Sequence, residues 1–125
     1  MGMFSAFNSA RTVITLFHSP TSSASRRILQ CLKQHESSVS NRLYDLDVTE
    51  GVPTRDQLKT ILKYAGETKV SSIVPGATSY TEATAILEGG EKNILRPMVI
   101  DWSNGKAILG DDEPAVKKLL STLEK

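Results

Sequence analysis

This 125-residue chain has a single cysteine, Cys31. One thiol excludes an intrachain disulfide, a CxxC pair and a cysteine-rich metal site. Histidine is almost as scarce: His18 and His35 stand far apart with no carboxylate cluster beside them, so no protein-built metal centre is expected. No motif calls for a cofactor. Nor is there an apolar run near the roughly 20 residues that a membrane-spanning helix needs, so no span is expected. A large excess of either charge is also missing. The formal net charge of +1 gives nucleic acid or an anionic membrane no bulk electrostatic hold.

One further absence is local. No Asp or Glu precedes Glu36, whereas Arg11, Arg26, Arg27 and Lys33 do. An acid-free stretch with Ser and Arg has the composition of a mitochondrial address. It is equally the composition of an ordinary terminus, because a strand begins near Thr12 and leaves little to cleave. Residues 1–11 are therefore set apart as a short segment with a targeting reading open, and 12–125 as one domain. With 39% hydrophobic and 23% charged residues, that domain reads as an ordinary globular unit with its own core.

"TVITLF" (Thr12–Phe17) is β-branched and aromatic, which predicts a buried strand. Ala24, Ile28, Cys31, Leu32 and His35 recur at helical spacing and predict a helix from Ser23 to about His35. "RLYDLDV" (Arg42–Val48) alternates and predicts a strand near an edge. Thr54 followed by Gln57 reads as a capping box, Leu58, Ile61, Leu62 and Ala65 as the inward stripe, and Gly66 as the stop. Glu67 to Ala77 has no period and reads as loop. Ser79 with Glu82 opens another helix, ended by Gly89-Gly90. Strands at Met98–Trp102 and Lys106–Leu109 flank the turn signal Ser103-Asn104-Gly105. The last helix has acids and Pro114 at its start and lysines further on, as its dipole prefers. The order β-α-β-α-α-β-β-α specifies an α/β three-layer sandwich with a four-stranded mixed sheet.

"LFHSPTSSASRR" (Leu16–Arg27) poses the chemical question. A strand runs into a histidine, a proline and five hydroxyl residues, and the next helix opens with two arginines where its dipole is already positive. Hydroxyls, free N–H groups at a helix start and nearby cations form a natural seat for an anion. The plain alternative is that Arg26 and Arg27 are solvated surface residues.

Two segments carry a resemblance. "HSPTSSASR" (His18–Arg26) resembles the H-N-P-x-C-x-x-S-R loop of the arsenate-reductase branch of thioredoxin-like proteins, and "LRPMVIDWSNGKAILGDDEP" is similar to its R-P-I-V-V strand, turn and returning strand. Within that branch, "VIDW-x-N-G…-G-x-x-E-P" resembles the fungal mitochondrial redox protein family. The resemblance implies a thioredoxin-like fold, a mitochondrial location and an oxidoreductase that reduces small molecules. It places His18, Ser22, Ser25, Arg26, Arg96 and Pro97 in a binding loop, with Pro97 cis. It departs at the decisive atom, since Ser22 stands where arsenate reductases carry the attacking cysteine. Asp111 falls where an arginine is expected.

Two functions follow. In the first, redox chemistry runs through Cys31, the sole candidate catalytic thiol, with glutathione as partner; a small oxyanion is the other candidate ligand, at the loop. In the second, a thioredoxin-like module that has lost its active-site cysteine binds a protein partner in a mitochondrial assembly. Position along the helix makes Cys31 a core residue, since free cysteine is among the most buried residue types. Ser22 reads as a helix cap rather than a nucleophile, because no carboxylate orients His18 beside it.

Overall fold

The computed structural model describes residues 12–38 and 44–123. The first strand, β1 (Thr12–Phe17), leads into α1 (Ser23–Ser38), and β2 (Tyr44–Thr49) returns parallel to β1, with Ile14 opposite Leu46. After α2 (Arg55–Ala65) come a 3₁₀ turn (Glu67–Lys69), the short α3 (Val70–Ile73) and α4 (Tyr80–Glu88). The hairpin β3 (Met98–Asp101) and β4 (Lys106–Leu109) precedes α5 (Glu113–Leu123). The four strands lie in the order β2-β1-β3-β4. β1 and β2 run parallel, and both β3 pairings are antiparallel.

This is the expected architecture with one correction. Glu67–Ala77 is not all loop: it holds a 3₁₀ turn and α3, whose Val70 and Ile73 are buried. Four residues make barely one turn, too short for a period to show. Arg42 and Leu43, expected at the start of the second strand, and the 1–11 segment lie outside the described residues.

Alternation along the strands divides the core. Ile14, Leu16, Tyr44 and Val99 meet Ile28 and Leu32 of α1 and Val116, Leu119 and Leu120 of α5. On the other face Phe17, Met98 and Ile100 meet Leu58, Ile61 and Leu62 of α2, with Ile73 and Ala83. Helices thus cover both faces, and the parallel β1–α1–β2 crossover delivers the residues after β1 to one end of the sheet. There Met98 pairs with Phe17, so the Arg96–Pro97 bond, which is cis, sits beside the start of the His18 loop.

Candidate functional site

The loop is fastened before it can do chemistry. Ser22 is the cap of α1: its Oγ accepts the Ser25 N–H at 3.2 Å, its carbonyl accepts the Arg26 N–H at 3.0 Å, and its own N–H donates to the Ser19 carbonyl at 3.1 Å. His18 and Ser25 are both buried. Ser25 Oγ accepts the Ser19 N–H at 2.9 Å and shares a 2.6 Å hydrogen bond with His18 Nδ1. The imidazole beside the loop is therefore engaged at Nδ1 by Ser25, not by Ser22. The His18 N–H donates to the Thr49 carbonyl at 2.8 Å, which ties the end of β1 to the end of β2.

The cations find separate partners. Arg26 is exposed and folds back, its guanidinium donating to the Pro20 carbonyl at 2.8 Å. Arg27 pairs with Asp111 Oδ2 at 2.8 Å, both side chains about half exposed. The acid at 111 thus answers a cation of α1. Arg96 is half-buried and donates to the Gly51 carbonyl at 2.8 Å, with longer contacts of 3.4 Å to the carbonyls of His18 and Lys92. Burial pushes its guanidinium pKa down from the ordinary value, opposed by the Glu50 carboxylate. The fold brings His18, Ser22, Ser25, Arg26, Arg96 and Pro97 to one end of the sheet.

Cys31 is not among them. Nine residues further along α1 than Ser22, it lies about 13 Å away along the helix axis at 1.5 Å per residue. It is not a core residue either: the buried stripe of α1 runs through Ser25, Ile28 and Leu32, which leaves Cys31 half-buried on the flank facing α5. The expectation of a core cysteine fails because Ser25, held by His18, takes the inward place that the spacing gave to Ala24. Around the thiol lie two shallow hollows. One, of about 310 Å³, is lined by Cys31, Gln34, His35, Lys117 and Leu120; the other, of about 210 Å³, adds Arg27, Gln30 and Glu113. Burial pushes the Cys31 thiol pKa up, the Glu113 carboxylate adds to this, and Lys117 opposes both.

Two polar clusters escaped the sequence reading. Trp102 Nε1 donates to Thr15 Oγ1 at 2.8 Å, and that hydroxyl donates to Asp47 Oδ2 at 3.2 Å, linking three strands or their ends. Asp101 is fully buried, yet its carboxylate accepts the Ser103 and Asn104 N–H groups at 3.1 Å and the Asn104 side chain at 2.8 Å. Aspartate two positions before the Ser103 of Ser-Asn-Gly was the available signal for the second, because Asp side chains bond their own backbone two residues on. Among the described residues no group of histidine, cysteine and carboxylates could hold a metal ion. No described helix is long and apolar enough to cross a membrane.

Residues 4–112 match the family described as "Protein of unknown function (DUF1687)". The chain belongs to that family. A curated relative of this DUF1687 chain is a Schizosaccharomyces pombe protein named "Putative redox protein fmp46, mitochondrial", 35% identical over 63 residues. That match takes in 50% of this chain and 52% of the relative, so the DUF1687 chain matches about half the relative's length. The resemblance to the fungal mitochondrial redox proteins is thereby borne out, and the relative's location supports a mitochondrial one here. Arsenate reductase from Vibrio cholerae superposes with a TM-score of 0.64 over 86% of this chain and 98% of that one, at 20% identity. Similarity at that level concerns the fold, and the fold is the expected arsenate-reductase-like, thioredoxin-like sandwich.

Proposed function

We propose that this DUF1687 chain is a mitochondrial thioredoxin-like redox protein whose chemistry runs through Cys31, by thiol–disulfide exchange with glutathione disulfide. The Cys31 thiolate attacks one sulfur of the disulfide. A Cys31–glutathione bond forms, the original S–S bond breaks, and the departing glutathione thiolate takes up a proton. The protein thiol is oxidised and half of the disulfide is reduced; a second glutathione reverses the step. The observation that carries this reading is that the sole thiol of a chain related to redox proteins is half-buried rather than sealed in the core, on a hollow bordered by Lys117, Arg27 and Glu113. Each cation already has a carboxylate partner, Asp111 for Arg27 and Glu113 for Lys117, and glutathione would exchange its own carboxylates for these exposed pairs.

The sign of the pH dependence follows from the raised thiol pKa. The nucleophile is the thiolate, so the exchange rate at neutral pH is slow and climbs as pH rises toward the elevated pKa. Mass spectrometry of the native protein with glutathione disulfide across pH 7 to pH 9 reads this as one added glutathione, absent in Cys31→Ser. A native protein that gains none, while its thiol reacts after denaturation, overturns the redox reading. It leaves the module that binds a protein partner without catalysis, which the engagement of Ser22 as a helix cap favours.

A further inference from the structure

The four strands end in β4, and nothing among the described residues pairs with its outer side. Register fixes which backbone groups face outward. The Gly110 N–H donates to the Pro97 carbonyl at 2.9 Å, so in an antiparallel ladder the bonding to β3 alternates back from there through Ile108 and Lys106. The N–H and C=O of Ala107 and Leu109 therefore point away from the sheet. Such an edge is a template for another extended segment unless charge or cover blunts it.

The surroundings give that segment its chemistry. A hollow of about 390 Å³ runs along this edge. Its floor toward α5 is Ile108, Ala115 and Leu119, and Tyr64 of α2 stands on its other flank. Among the described residues Lys106 and Lys118 are the only charged ones that line it, and both are exposed. A second copy of this chain is the wrong occupant for this rim. Pairing β4 with β4 would gather the same lysines from both copies into a space that no acid among the described residues lines.

We propose that the outer edge of β4 and its groove form a docking site for an extended, acidic segment of a partner protein, which adds to the sheet as a fifth strand. Main-chain bonds to Ala107 and Leu109 supply the pairing. On the face toward α5, an apolar side chain of the partner rests on Ile108 and Leu119, and acids two positions to either side reach Lys106 and Lys118. This site is separate from Cys31 and does not depend on its chemistry.

The test uses the full chain, isotope-labelled, with the peptide acetyl-Ser-Glu-Thr-Val-Thr-Glu-Ser-amide and a counterpart carrying Lys at both Glu positions. The acidic peptide is expected to shift and protect the Ala107 and Leu109 amides at millimolar concentration, and the basic one is not. The paired variant Lys106→Glu/Lys118→Glu, both at exposed positions, should weaken the acidic peptide by roughly tenfold or more. Ala107→Pro, which removes an outward donor and no bond to β3, should do the same. Equal response to both peptides, no response at these amides, or binding indifferent to the lysine reversal overturns the proposal. So does protection of Ala107 and Leu109 without peptide. If it grows with protein concentration, a second copy occupies the edge; if it does not, the chain's own residues do.

Discussion

Ser25 shows how much one hydroxyl can hold. Its oxygen serves the Ser19 N–H and the His18 ring together, in a place with no exposure to solvent. Ser25→Ala leaves the buried His18 imidazole nitrogen without that partner, at a cost of about 1–3 kcal/mol, and frees the part-buried Ser19 amide as well. Ser22→Ala removes a cap at a half-exposed helix start, worth about 0.5–2 kcal/mol. Urea denaturation should therefore rank Ser25→Ala as the more damaging of the two; the reverse order would mean that the His18–Ser25 bond adds nothing. The loop residues were legible in the sequence by residue type. Their pairing was not, because a contact between the end of a strand and the first turn of the following helix leaves no periodic trace. Cys31 shows the same limit: helical spacing placed it on a face, and a buried serine shifted that face by a residue.

The helices illustrate where local signals suffice. The capping box of α2 is complete, with the Gln57 N–H donating to Thr54 Oγ1 at 3.1 Å and Gln57 Oε1 accepting the Thr54 N–H at 2.9 Å. At α4, Ser79 caps the Glu82 N–H as its position announced, but the Glu82 carboxylate reaches past the cap to the Thr78 N–H, at 2.7 Å, and to the Thr78 hydroxyl. Those bonds hold the Glu82 pKa below the ordinary carboxylate value. A depressed folded pKa means stabilisation that is present above the unfolded value, about 4.3. It is lost as pH falls through the folded one. The Thr78 amide should accordingly lose its protection from exchange as pH drops below that range, and Glu82→Gln should flatten the profile. An unchanged pH response in the variant would assign the effect to another group. Among element boundaries, the capping residues and glycine stops were readable. The exception was α3, which owes its helicity to Val70 and Ile73 packing on the α2–α4 side rather than to any pattern of its own.

At the level of the whole chain, two apolar clusters share one sheet, so neither can loosen alone. Leu16→Ala opens the α1–α5 side and Ile100→Ala the α2–α4 side, each at about 2–5 kcal/mol. In both variants the single tryptophan, Trp102, and the far-ultraviolet helix signal should report the same melting curve. Two separated transitions would show that the faces fold as independent units. The overall topology was readable because each crossover is short and each strand's apolar content declares its depth. Chain order could not show how the charges pair across space: Arg27 and Asp111 are 84 residues apart and meet because α1 begins beside the turn into α5. Arg96 gathers three stretches of the chain at once. Its guanidinium draws on carbonyls from the stretches after β1, after β2 and before β3. One planar group with five donors thereby laces three connecting segments into a common hem. Displacing any one of them tugs on the other two, so this rim of the molecule yields as a unit or not at all.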